Sequence, residues 1–329
     1  MKQEKAKRGR EEAVNGERRK IPIFFLIFTF IRARVAYKAR GSTTALITLP
    51  NKLNCRSPRE LVGDFVSLFG TADPELLDHE GKSFMDRGVR RVVDVHGHSL
   101  SLYTGAGTRR HTAHDIIVRK LESILKFAGQ HDIVAEDAEV FKWCIRSEAR
   151  RRRYAMAMGA RSARRDAHGL RPDLSAQRYR FARSAMGPSQ HQLWDVKTVG
   201  VSDAYHANFR VPPADQRARG VPGDYRRAAV ECDRDWNGTL PGSVGAFEGY
   251  LASLPPVIGL GFGPFGEWSA EVDTLIGQVA EIASACPERL GCCHGPTQAR
   301  GRYAHWARSH LHREVLREVS RCRHAALDR

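Results

Sequence analysis

The chain has 329 residues, 42% of them hydrophobic, with a mean hydropathy of -0.44 and a formal net charge of +16 from 53 Lys plus Arg against 37 Asp plus Glu. This composition excludes a disordered or membrane-embedded chain and leaves length enough for the core of one large domain or two ordinary ones. The basic balance favours a polyanionic partner, nucleic acid before an anionic membrane surface, with an arginine-rich coding background as the plainer explanation.

The amino end, Met1 to Lys20, is of mixed charge and leads into IPIFFLIFTFI at 21–31. That run is too short to span a bilayer comfortably and is followed at once by basic residues, so a strand, a helix edge or a leader is expected rather than an anchor. Residues 32–110 are weakly patterned, and 1–95 is taken as a poorly defined basic extension. The cysteines Cys55, Cys144, Cys232, Cys286, Cys292, Cys293 and Cys322 spell no C-x-x-C pair. Neither a disulfide framework nor a zinc ribbon is legible, and a reducing setting, nuclear or otherwise intracellular, is expected. Cys292, Cys293 and His294 lack a second ligand pair and read as a loop of ordinary thiols.

From His111 the periodicity sharpens. Ala113, Ile116, Ile117, Leu121, Ile124, Leu125 and Ala128 recur at helical spacing, with Thr112 as a possible cap and Gly129 as a stop. Glu122 borders this stripe; it is either a solvated flank residue or a carboxylate reaching a neighbouring sheet, with Asp115 as the second choice on the same helix. His96, His98, His111 and His114 can be drawn as another metal set, though histidines near a helix start are more often capping or surface residues. Residues 131–145 suggest one strand or a short pair. Between Arg146 and Arg165 there are eight arginines and one acid, which reads as a phosphate-facing insertion, a disordered arm or a localisation tract.

GLRPDL at 169–174, written as a strand, puts Arg171 and Asp173 on one face, and Gly187-Pro188 signals a turn before QLWDVKTVG. In that second strand Leu193, Asp195 and Lys197 share a face, because strand side chains alternate. The acid and the amine are either an ion pair on a half-exposed strand or two working groups of a hydrolytic site. A helical pattern is clearest from Asp224 to Trp236, weakened upstream by Gly220, Pro222 and Gly223. A buried strand is expected at 255–263, a helix at 267–285, and a basic helix at 297–324 with Tyr303, Ala307, Leu311, Val315, Val319 and Cys322 on one face. The order is that of an α/β protein with a mixed sheet.

Two acids and an amine at one sheet edge suit phosphodiester hydrolysis. Hard carboxylate oxygens can hold Mg²⁺, and a lysine beside them can orient the water or steady developing charge. Pro172-Asp173, a gap of 21 residues, then Asp195-Val196-Lys197 resembles the PD-(D/E)XK nuclease superfamily, and the helix-strand order resembles its αβββαβ core. Short motifs of this kind also arise by chance. A closer resemblance, over roughly 96–236, is to the restriction-like endonuclease region of site-specific non-LTR retrotransposons, through Arg110-His111-Thr112, Arg171-Pro172-Asp173-Leu174, Asp195-Val196-Lys197 and Tyr225. The zinc knuckle of that family is not spelled out, since His98 and Tyr103 stand where a His-x4-Cys would be and no C-x-x-C precedes them.

The resemblance implies a restriction-endonuclease-like domain at 96–286, with 287–329 as a basic helical tail. It implies a nuclease that hydrolyses DNA, derived from a mobile element, with Mg²⁺ or Mn²⁺ held by Asp173, Asp195 and Glu122 and assisted by Lys197. His111, Arg150, Arg151, Arg152, Arg153 and Arg171 are the expected DNA contacts. A catalytically silent nucleic-acid-binding remnant is the alternative. A second alternative is dinucleotide binding through Gly261, Gly263 and Gly266, which satisfy G-x-G-x-x-G between a strand and a helix. No small-molecule cofactor and no membrane partner are otherwise expected.

Overall fold

This computed structural model describes residues 77–86, 89–93, 109–137, 139–159, 169–181, 191–199, 213–263, 266–285 and 295–327. The apolar run at 21–31, His96, His98, Cys292, Cys293 and His294 lie outside the described residues. A hairpin of β1 (Ser83–Asp86) and β2 (Val89–Val92) forms its own two-stranded sheet. The main chain order continues with α1 (Arg109–Phe127), β3 (Ile133–Ala135), α2 (Glu148–Gly159), β4 (Leu174–Ala176) and β5 (Gln192–Thr198). Then come α3 (Pro213–Cys232), α4 (Ala246–Ser253), β6 (Ile258–Phe262), α5 (Ala270–Ser284) and α6 (Pro296–Leu327).

The four strands β3-β4-β5-β6 make one mixed sheet, antiparallel for the first two pairings and parallel between β5 and β6. A parallel neighbour needs a crossover, which α3 and α4 supply. The chain is therefore an α/β protein whose helices cover both sheet faces.

On one face, Ile133, Leu174, Ala176, Trp194, Val196, Leu260 and Phe262 pack against α1, α5 and α6. Trp194 is fully buried, with the Tyr179 ring edge-on to it at 4.8 Å. Helix α1 contributes Ile117, Val118, Leu121, Ile124 and Leu125, the expected stripe. It ends in a left-handed Gly129 (φ 104°), with Gly129 N–H on Lys126 O and Gln130 N–H on Leu125 O, the double hydrogen bond of a glycine-terminated helix. Helix α6, expected as an appended tail, instead places Tyr303, Ala307, Leu311 and Val315 in this same core.

The other face is formed by Leu193 and Val257 with α3 and α4, and by α2 through Tyr154 and Met158. Helix α3 continues through Pro222 despite the missing donor, and Ala214, Ala218, Val221, Tyr225, Ala229 and Cys232 form one continuous buried stripe. Helix α2 orders residues 148–159, against the expectation of a disordered arm, and residues 160–168 lie outside the described part. Its anchor is Tyr154, fully buried, whose hydroxyl donates to Leu170 O at 2.8 Å and accepts from Leu170 N–H at 3.1 Å.

The glycine motif serves packing. Gly259 and Gly261 lie in β6, where the backbone of α3 comes so close that a Cβ would collide with the carbonyl oxygens of Ala218 and Ala214. A Cβ at Gly263 would strike the Glu267 carboxylate, and Gly266 adopts φ 77°. The N-terminus of α5, where a pyrophosphate would sit, is met by a carboxylate of the chain itself: Ala270 N–H donates to Asp215 Oδ1 at 2.8 Å. Packing thus accounts for Gly261 and Gly263 without a cofactor.

Candidate active site

Strand β5 carries the central pair. Both of its faces are buried: Trp194 and Val196 enter the core under α1, α5 and α6 while Leu193, Asp195 and Lys197 face α3. Opposite them on β6 stand Gly259 and Gly261, in register with Asp195 and Lys197, so the strand beside the charged groups offers no side chain to cover them. Strand β4 pairs Leu174 with Trp194, and one step back along the same register Asp173 falls opposite Asp195. Pro172, which has no N–H, precedes the strand, and the Asp173 side chain takes over the ladder: its Oδ2 accepts the Val196 N–H at 2.6 Å.

The two carboxylates have different environments. Lys197 Nζ forms an ion pair with Asp195 Oδ2, an oxygen that is buried and otherwise lacks a hydrogen bond. The Tyr225 hydroxyl, from α3, lies 3.3 Å from both Asp195 Oδ1 and the Arg171 carbonyl oxygen. Burial, then the charge of Asp173, raises the Asp195 carboxyl to about 6, against the opposing pull of Lys197. For Asp173, burial also favours the neutral form, but the hydrogen bond and charge of His114, the Val196 N–H and Lys197 outweigh it and hold the carboxyl below its ordinary value. Burial, then the negative charges of Asp195 and Asp173, pushes the Tyr225 phenol well up, which keeps it a neutral hydrogen-bond donor.

His114 enters from the first turns of α1. Its Nε2 lies 3.0 Å from Asp173 Oδ2 and its Nδ1 3.3 Å from Asp115 Oδ1. With a carboxylate at each ring nitrogen, both nitrogens act as donors only in the imidazolium form. Burial alone would lower its pKa, yet the hydrogen bonds and charges of Asp173 and then Asp115 raise it to about 9. At neutral pH the cluster formally holds three carboxylates against two cations.

The structure thus brings together Asp173, Asp195 and Lys197, and it leaves Glu122 out. Glu122 pairs with Lys126 at 2.7 Å, one turn further along α1. It lies eight residues beyond His114, about 12 Å along the helix axis. Only the first turns of α1 reach the sheet end that bears the carboxylates, so Asp115 is the α1 acid near the site. His114 is the residue that sequence reasoning missed as part of this site. Its signal was its phase, since positions 114, 117, 118, 121 and 125 lie along one helical face.

The expected DNA contacts also need correction. Arg171 donates to the Met158 carbonyl at 2.7 Å and sits 3.9 Å from Glu136. Arg150 donates to Trp236 O at 2.6 Å. Arg151 donates to Ile145 O at 2.7 Å and to Arg146 O at 3.1 Å. Arg152 reaches Glu148 at 3.3 Å, while Arg153 is exposed. The block is thus partly committed to holding α2 in place. His111 lies in the first turn of α1, and its side chain is outside the described part.

Among the described residues, no group of three or more His, Cys, Asp or Glu side chains is arranged to hold a metal ion. Two opposed carboxylates nevertheless fit the donor chemistry of Mg²⁺, which binds through one or two carboxylates and keeps several waters. Three of the four carboxylate oxygens already have partners, Asp173 Oδ2 in His114 and the Val196 N–H, Asp195 Oδ1 in Tyr225 and Oδ2 in Lys197. Cys144 and Cys232 are buried free thiols, each pushed up to about 12 by burial and then by Asp233, and so are inert as nucleophiles. No helix among the described residues is long and apolar enough to cross a membrane. No family model, no curated protein and no solved structure matches the chain.

Proposed function

We propose that this chain is a divalent-metal-dependent endonuclease that hydrolyses DNA phosphodiester bonds, built on a restriction-endonuclease-like core and derived from a mobile element. The observation that carries the reading is the convergence of Asp173 and Asp195, marked by the Val196 N–H donated to Asp173 Oδ2 at 2.6 Å and by the charge that Asp173 exerts on Asp195, with Lys197 against the second carboxylate. The helix-strand order around them, α1-β3-α2-β4-β5-α3-α4-β6, supports it when α2 and α4 are taken as insertions in an αβββαβ core. Asp173 and Asp195 would hold Mg²⁺ or Mn²⁺, which supplies charge neutralisation at the phosphate and a more acidic water.

The chain's own residues divide the remaining work. Lys197, a quarter exposed, is placed to orient the attacking water or to steady a phosphoryl oxygen. His114 is a positioning residue: it fixes Asp173 and keeps it ionised. Tyr225 holds Asp195 through a neutral donor. Asp195 must be deprotonated to bind a cation, so cation and proton compete for it and activity should fall at acidic pH.

The test is nicking of supercoiled plasmid in Mg²⁺ or Mn²⁺ by the wild type and by Asp173→Ala, Asp195→Ala and Lys197→Ala proteins, each checked for retained folding. Loss of nicking in all three supports the reading, and undiminished nicking by Asp173→Ala overturns it. A catalytically silent nucleic-acid-binding protein is the second reading, favoured by one observation: the acid expected to complete the metal shell, Glu122, is engaged with Lys126.

A further inference from the structure

Trp143 stands apart from the other described aromatics. Trp194 and Trp268 are among the most deeply buried side chains, whereas Trp143 is 69% exposed, more than Phe127 or Trp306. Its backbone is nonetheless fixed. It sits in a single 3-10 turn, Lys142–Cys144, closed by Cys144 N–H on Phe141 O and Ile145 N–H on Lys142 O, and Phe141, Cys144 and Ile145 around it are buried. A rigid base that presents a large ring to water loses little further freedom when something stacks on it.

The surroundings select what stacks. Lys142 Nζ, paired with Glu139 at 2.8 Å, lies over the ring 5.6 Å from its centroid, and Arg151 Cζ lies over it at 5.3 Å. Between Glu139 and Arg153 the chain carries six cationic side chains, Lys142, Arg146 and Arg150 to Arg153, and only two carboxylates, Glu139 and Glu148. Arg146, Arg152 and Arg153 are exposed. Helix α2 then leads from this ring toward the carboxylates, because the Met158 carbonyl at its far end holds Arg171, two residues before Asp173. Its 12 residues span about 18 Å.

We propose that Trp143 is a stacking platform for an unpaired nucleic-acid base, flanked by Lys142, Arg146, Arg152 and Arg153 as phosphate contacts, so that a single-stranded segment lies along α2 toward Asp173 and Asp195. The choice of partner rests on the nuclease reading. Within a duplex each base is already stacked on its neighbours and offers no free face, so the ring discriminates in favour of single strands, while the cations attract either form. A protein surface would match the ring but not the local excess of positive charge.

The experiment uses the full chain in EDTA, so that binding is read without cleavage, with a fluorescein-labelled oligothymidylate and a duplex of equal length followed by anisotropy. Trp143→Ala should weaken single-strand binding about ten-fold to a hundred-fold and leave duplex binding within about two-fold, and Trp143→Phe should keep most of the affinity. An unchanged urea midpoint checks that each variant is folded. Equal losses on both nucleic acids, no loss on either, or no measurable binding by the wild type would overturn the proposal, and an unaffected variant would leave the ring to a protein partner. Divalent-dependent nicking is read separately: nicking intact with no stacking removes only the platform, and stacking intact with no nicking removes only the nuclease reading.

Discussion

Replacing His114 by Gln tests the electrostatic wiring of the site. Between Asp115 and Asp173 the imidazole is held as a cation, its pKa moved from the ordinary 6.5 to about 9. A group whose folded pKa is raised contributes stability that is fully present below its unfolded value and is lost as pH rises through the folded one. The full displacement corresponds to about 3 kcal/mol. Solvent reaches about a quarter of the side chain, so screening leaves about 2 kcal/mol. Urea unfolding of both proteins from pH 6 to pH 10, with slopes compared to confirm a similar unfolding surface, reads the quantity directly. The wild type should be the more stable by about 2 kcal/mol near pH 6, and the gap should close by pH 10. A gap that stays constant over that range would refute the ion-paired imidazolium.

Three other outcomes follow from the same geometry. Asp195→Asn should gain on the wild type by up to about 3 kcal/mol as pH rises from 4 to 7, because burial and Asp173 make ionisation of the carboxyl costly and its stabilising contribution is lost as pH rises through about 6; urea midpoints across that range check it. Gly259→Ala should cost about 2 kcal/mol or more, since the new Cβ meets the backbone of α3 and no flexible side chain can yield; a lower thermal midpoint is the readout. Glu122→Gln should leave nicking unchanged and cost only about 0.3 kcal/mol from its pair with Lys126, so a large loss of activity would return Glu122 to the metal shell.

Much of the site was legible because strand geometry is local. The two-residue period of QLWDVKT puts Asp195 and Lys197 on one face, and the Pro172-Asp173 strand start needed only one hairpin register to come opposite. The stripes of α1 and α6 were legible for the same reason, since each helix declares its buried face by spacing. What was not legible depends on how helices dock. Helical phase said that α1 turns one face to the sheet but not which turn reaches the carboxylates, and so Glu122 was preferred over the His114–Asp115 pair. Four consecutive arginines hid the spacing of Tyr154 and Met158 that anchors α2. The G-x-G-x-x-G pattern was ambiguous in one dimension: the close approach of Ala214 and Ala218 to Gly261 and Gly259 exists only after α3 has crossed over β6.

On the proposed reading, Asp173 and Asp195 together hold one divalent cation. Titrating Mn²⁺ into the wild-type chain at pH 7.5, followed by the loss of free Mn²⁺ signal in electron paramagnetic resonance, tests it without relying on cleavage. One saturable site that disappears in both Asp173→Asn and Asp195→Asn is the expected result. Binding that persists in both variants, or no binding in the wild type, would contradict it.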